Sequence, residues 1–359
     1  MEAVYSHAVA FLEKKQAVVL ATIIRLTGSG PREKGTKFLI MEDGSFVGTI
    51  GGGRLEAEII KEAEKVFAAG RPARISLSLM GKDVAETDMI CGGDVEVFLE
   101  PLFPNDEGEV KILQRCAEIQ KLGGRGILAT VISAERWEKE RGLKVFLDQN
   151  GERRGSLHGL EGIEEDLAGA SGRWAEKRGP DIAVFRDRSG EPVELFVEPV
   201  ASDPFLYVFG GGHVSLQIVP MASKVGFKVV VVDDRPEFAD PRKFPDAVKV
   251  HQDAFEGVIE RLPVDESSYI IIVTRGHLHD KVVLEQSLKT PARYIGMIGS
   301  KRKKAMVFER LLEEGFRKED IDRVHSPIGL DIGAETPEEI AVSIVAELIK
   351  VRSGKERKD

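Results

Sequence analysis

From residue 204 to about 350 the chain alternates apolar runs of strand length with amphipathic segments of helix length, and few folds accept that pattern. The order is FLYVF, a helix over 213–225, KVVVVD, a proline-bearing loop, AVKVHQ, a helix over 254–261, YIIIVT, a helix, RYIGMIG and a further helix. Strands apolar on both faces and joined through helices belong inside a parallel sheet with helices on each side. A doubly wound α/β domain of Rossmann type is therefore expected over 204–359. Its last helix is expected at about 337–350, with Thr336 and Glu339 as a capping box, Pro337 at the first helical position and Ile340, Ile344, Val345 and Leu348 buried.

The first 203 residues read differently, as expected of a chain of 359 residues that exceeds one ordinary core. A short amphipathic helix (4–15) precedes the strand AVVLATIIRL. KFLIMEDGSFVGTI then gives two short strands joined at Asp43-Gly44. A helix follows Gly51-Gly52-Gly53, with Leu55, Ile59, Ala63 and Val66 on one face and Gly70 as its stop. GILATVI and LKVFLD read as strands, while 152–180 mixes charge with glycine and reads as partly loop. The prediction is a mixed α/β domain over 1–203, with a linker at the two prolines of LFVEPVASDPF.

Candidate site residues cluster where strands meet helices. Gly210-Gly211-Gly212-His213-Val214-Ser215 is a G-x-G-x-x-S variant of the dinucleotide turn, in which bare amides at a helix start accept a phosphate. Asp233, with Asp234 beside it, stands where an acid is expected to hold a ribose. Arg275, His277 and His279, with Asp280, follow YIIIVT and fall at the same carboxyl edge, as candidates for cofactor or substrate contacts. Ser300 is read as the N-cap of a helix opening Lys301-Arg302-Lys303-Lys304. Cations there oppose the helix dipole, and an anionic ligand reverses the penalty.

In the N-terminal region Gly51, Gly52 and Gly53 repeat the anion-binding physics, with amides expected to face outward, and Arg32 adds a fork of donors. Cys91 falls in a glycine turn, Ile90-Cys91-Gly92-Gly93, where a thiolate suits a soft metal or sulfur transfer. Cys116 falls in an apolar helix and reads as a core residue.

Charge and cysteine usage remove other classes. A net charge of -9 disfavours a nucleic-acid binder, and two cysteines make no disulfide framework. MEAVYSHAVAFLEKK lacks the apolar core of a signal peptide, and the longest apolar runs have strand length rather than that of a membrane span. A cytoplasmic protein is expected.

Taken in order, GSGPREKGTKFLI, VGTIGGGRLEAEI, CGGDVEVFLEP, VFGGGHV with VVVVDDRPEFA, TRGHLHD, YIGMIGSKRKKA and HSPIGLDIGAETPEEIAVSIVAELI resemble the XdhC/CoxI family. These are accessory proteins of xanthine dehydrogenase and related molybdenum hydroxylases. The resemblance implies binding of molybdenum cofactor, support for exchange of an oxo for a sulfido ligand, and delivery to an apo-hydroxylase. It further implies a cysteine desulfurase-type sulfur donor as a partner; a homodimer is compatible with it. Many relatives carry cysteine where this chain has Arg54, and often glycine where it has Ser215, so Cys91 is left as the motif cysteine, assigned both catalytic and metal-contacting roles. The rival reading is an NAD(P)-dependent oxidoreductase that uses the C-terminal domain for its dinucleotide.

Overall fold

The computed structural model describes residues 4–28, 30, 32–78, 93–133, 136–137, 143–148, 151–176 and 179–354. They form two compact units that divide between Ser202 and Asp203.

The N-terminal unit runs α1 (Val4–Glu13), β1 (Val18–Gly28), β2 (Lys37–Met41), β3 (Phe46–Gly48), α2 (Gly53–Ala69), β4 (Ala73–Ser78) and β5 (Gly93–Leu102), followed by α3 (Glu107–Leu122), β6 (Arg125–Val131), β7 (Leu143–Asp148), β8 (Arg153–Leu157), α4 (Glu161–Glu176), β9 (Asp181–Arg186) and β10 (Pro192–Ala201). Two five-stranded antiparallel sheets result, in the orders β3-β2-β1-β5-β4 and β8-β7-β6-β10-β9. Alternation sorts their side chains: Val19, Ala21 and Ile23 of β1 pack under α2, while Val18 and Leu20 face a core shared with α1 and α3. Cys116 lies buried in that shared core. The segment read as partly loop also holds β8 and α4, and Ile163 and Leu167 of α4 are buried one turn apart.

The C-terminal unit continues with β11 (Phe205–Phe209), α5 (His213–Lys224), β12 (Lys228–Asp233), β13 (Lys249–Gln252), β14 (Tyr269–Ile272), α6 (Gly276–Leu288), β15 (Tyr294–Met297), α7 (Lys301–Glu313), α8 (Lys318–Asp322), β16 (Val324–His325) and α9 (Pro337–Ser353). Six parallel strands lie in the order β13-β12-β11-β14-β15-β16, the Rossmann arrangement. Residues alternate between two cores: Val229 and Val231 face α5 and α9, whereas Val230 and Val232 face the side of α6 and α7. The capping box of Thr336 and Glu339 opens α9 with Pro337 in its first turn. The helix expected over 254–261 is corrected to a three-residue 3-10 turn, Ile259–Arg261, because Gly257 takes φ +67° and interrupts it.

Candidate functional site

Parallel strands deliver their carboxyl ends to one edge. Gly210, Asp233, Thr274 and Ser300, each at or just after a strand end, therefore share the carboxyl edge of the C-terminal sheet. The chain leaves β11 toward β12 and returns to β14, so the switch point lies at the Gly210 turn.

The three glycines of that turn have different duties. Gly210 has φ +107°, and a Cβ there would stand 2.4 Å from the carbonyl oxygen of Val273. A Cβ on Gly211 would stand 2.2 Å from the Phe238 carbonyl oxygen. Both glycines let the protein approach itself. Gly212 caps α5 with nothing within 4 Å of a Cβ, and α5 has no side-chain cap and no acid in its first turn. His213 opens that helix, and its first-turn amides are the donors that an anionic group would use. Ser215, at the third glycine position, is buried and donates to the Gly210 carbonyl, tying helix to turn.

Asp233 is fully buried, and its carboxylate accepts from the Gly211 amide at 2.8 Å and from the Arg235 amide, Nε and Nη2 at 3.0 Å each. Burial pushes its pKa up, but the Arg235 side chain and the Gly211 amide outweigh that and hold it below the usual carboxylate value. Asp233, expected at a ribose, makes all these bonds within the chain, and they shape the turn. Arg235 stacks on Phe238, its guanidinium carbon 3.6 Å from the ring centre. Asp234 instead accepts from Arg275 Nη2 at 2.8 Å. Because β11 lies between β12 and β14, this ion pair crosses above the glycine turn.

In the second motif the buried group is Asp280, which accepts from Thr274 Oγ1 at 2.5 Å and pairs with Lys303. Its burial pushes its pKa up against the pull of Lys303 and Thr274. His279 stacks obliquely near Phe255 at 5.4 Å, and His277 is the second residue of α6. Among the described residues no group of three or more His, Cys, Asp or Glu is placed to hold a metal ion. Ser300 caps α7 by accepting from the Lys303 amide, and Lys301 is its first residue. The cationic run needs less from a ligand than its sequence implies, since Asp280 already answers Lys303. Sequence reasoning misses the structural roles of Arg235, Thr274, Asp280 and Lys303.

At the N-terminal unit's glycine loop, the expectation of outward, bare amides is corrected. Glu56 Oε1 accepts from Thr49 Oγ1, the Ile50 amide at 3.1 Å and the Gly52 amide at 2.9 Å, while the Gly51 amide donates to Thr49 Oγ1. A carboxylate from α2 thus occupies the mouth of the loop Gly51-Gly52-Gly53. Arg32 is exposed in the β1–β2 loop, at the edge where Gly28 pairs with Gly93. Cys91 lies outside the described residues.

Comparison with known proteins meets this geometry at both units. The model of the XdhC Rossmann domain matches residues 206–348, and that of the XdhC and CoxI family matches residues 11–78, together more than half of the chain. The chain belongs to the XdhC and CoxI family. A probable xanthine dehydrogenase subunit of Bacillus subtilis is 25% identical over 355 residues, covering 96% of each chain. The molybdenum cofactor insertion chaperone PaoD of Escherichia coli is 20% identical over 345 residues, covering 96% of this XdhC-family chain and 86% of PaoD. YqeB of Escherichia coli is 24% identical over 353 residues, and the chain spans only 46% of its length. A crystal structure described as a xanthine dehydrogenase from Bacillus halodurans superposes with a TM-score of 0.75 at 28% identity, covering 97% of this chain and 96% of that one. No helix among the described residues is long and apolar enough to cross a membrane.

Proposed function

We propose that this XdhC-family chain is a cytoplasmic accessory protein that binds molybdenum cofactor, supports its sulfuration, and inserts it into a xanthine dehydrogenase-type molybdenum hydroxylase. The observation that carries the reading is the inward turn of Asp233 beside the open Gly212. The C-terminal edge keeps the phosphate-binding half of a dinucleotide site and spends the ribose-binding acid on its own turn. That combination suits a phosphate-bearing pterin better than a nicotinamide dinucleotide. Likeness over nearly the whole chain to a cofactor insertion chaperone supports the same reading.

In this reading Gly212 admits the phosphate to the first-turn amides of α5, where the helix dipole favours negative charge. The Arg275–Asp234 pair spans the turn and positions a guanidinium above the ligand, with Ser300 and Lys301 further along the same edge. When bound, the cofactor supplies the molybdenum centre that the client hydroxylase uses. Cys91 is the residue we assign to molybdenum contact or to assisting sulfuration, because a thiolate is a soft ligand. The partners are the apo-hydroxylase and a sulfur donor of cysteine desulfurase type.

The rival, an NAD(P)-dependent oxidoreductase, is favoured by the strand order alone. The deciding experiment loads the purified protein with molybdenum cofactor and incubates it with an apo-hydroxylase and a sulfur donor. Gain of hydroxylase activity dependent on the protein supports the proposal. No gain, together with stoichiometric NADH or NADPH binding and turnover of an acceptor, supports the rival.

A further inference from the structure

The two sheets of the N-terminal unit have one plan. The run helix, three strands, helix, two strands occurs from α1 to β5 and again from α3 to β10, and the strand orders β3-β2-β1-β5-β4 and β8-β7-β6-β10-β9 correspond position by position. The sequence repeats with it: LATII at 20–24 answers LATVI at 128–132, and VEVFLEPL at 95–102 answers VELFVEPV at 193–200. Strand register fixes the equivalence residue by residue. Thr22 pairs with Lys37 as Thr130 pairs with Lys144, and Leu20 pairs with Glu100 as Leu128 pairs with Glu198.

The cores follow the same equivalence. Each sheet packs its own helix, α2 or α4, on one face, with Val97 and Leu195 as counterparts. The opposite faces merge: Leu20 and Leu128 share one core with the packed helices α1 and α3. A smaller cluster holds two counterpart pairs, Ile24 with Ile132 and Phe98 with Phe196.

Polar contacts cross between the halves in a reciprocal way. Lys37 Nζ meets Glu198 Oε2 at 2.9 Å, and Lys144 Nζ meets Glu100 Oε2 at 2.7 Å, so each lysine takes the other half's glutamate. A twofold interface gives this pattern, because the contact of residue i with j is repeated as j with i. Arg74 adds the expected feature of an axis: one guanidinium holds both Glu96 and Glu194, which are counterparts, and its own counterpart is Ile182. The glycine loop obeys the same plan. Glu56 accepts from Thr49 and Ile50, which follow Gly48, as Glu164 accepts from Ser156 and Leu157, which follow Gly155.

We infer that the N-terminal unit is one fold present twice in tandem, its copies paired about a pseudo-twofold axis. The inner face of each copy is an interaction surface for a second copy of the same fold, which the chain itself supplies. A feature shared by both copies is scaffold, so Glu56 shapes its loop as Glu164 does and is not a ligand group. This inference stands apart from the cofactor reading and survives its failure.

The test uses double-mutant cycles on the full chain, followed through the unfolding of the N-terminal unit. The crossed cycles, Lys37→Met with Glu198→Gln and Lys144→Met with Glu100→Gln, are expected to show coupling of at least about tenfold in the unfolding constant. The same-copy cycles, Lys37→Met with Glu100→Gln and Lys144→Met with Glu198→Gln, are expected to couple less. Equal or stronger same-copy coupling overturns the pairing. Should a lysine variant fail to fold, Glu56→Gln and Glu164→Gln carry the test: each lowers the unfolding midpoint of the N-terminal unit. A midpoint shift confined to one of the two contradicts the inference.

Discussion

Replacing Asp233 by Asn tests whether the residue builds the turn or serves a ligand. The carboxylate divides its work evenly: Oδ1 accepts from the Arg235 amide and Nε, Oδ2 from the Gly211 amide and Arg235 Nη2. Whichever way an Asn amide is turned, its NH2 group faces two donors. Hydrogen bonds to a charged group contribute roughly 1.5–3 kcal/mol each and are not additive here, so the loss is about 3 kcal/mol. For a unit of this size that corresponds to a fall of about 6–12 °C in its transition, read by calorimetry without ligand. The effect depends on pH. Because the folded-state pKa of Asp233 is depressed, its stabilisation is present above the ordinary carboxylate pKa and is lost as pH falls through the folded value. The gap between wild type and variant is therefore widest near neutrality and closes in acid. An Asp233→Asn protein that keeps the wild-type transition while losing ligand affinity would refute the reasoning.

Glycine substitutions separate packing from binding: Gly210→Ala, facing the Val273 carbonyl at 2.4 Å, is expected to cost more than about 2 kcal/mol in thermal unfolding. Gly212→Ala, in open space, should stay within about 1 kcal/mol of wild type yet bind cofactor more weakly, as measured by equilibrium loading. Lys144→Met leaves the buried Glu100 and the half-buried Glu109 without their shared cation and should destabilise the N-terminal unit by about 3–5 kcal/mol in denaturant titration. Cys91→Ser should unfold at the wild-type temperature but carry less molybdenum by metal analysis and activate the client poorly; equal loading and activation remove Cys91 from the site.

The C-terminal fold is legible in the sequence because strands buried on both faces, such as Val229–Val232, read as unbroken apolar runs. The start of α9 is equally open, since capping chemistry is local. The spacing of Phe255, Val258 and Ile259 imitates a helix, but Gly257 between them adopts a backbone that ends it. The stretch at β8 is obscure because Arg153 and Arg154 lie exposed on an edge strand, and α4 carries glycines at 162, 169 and 172 that lower helix propensity. At the site, the type of each residue is readable and its direction is not. Asp233 and Glu56 are both acids beside glycine turns, and only backbone geometry decides that each turns inward to take the amides a ligand was expected to use.

The central claim is tested most directly by producing the chain in cells that synthesise molybdenum cofactor and measuring molybdenum and pterin fluorescence in the purified protein. The account predicts both, in equal amounts and approaching one per chain, with a marked loss of both in Gly212→Leu at an unchanged unfolding temperature. Purified protein that carries neither molybdenum nor pterin but binds NADH or NADPH stoichiometrically would contradict it.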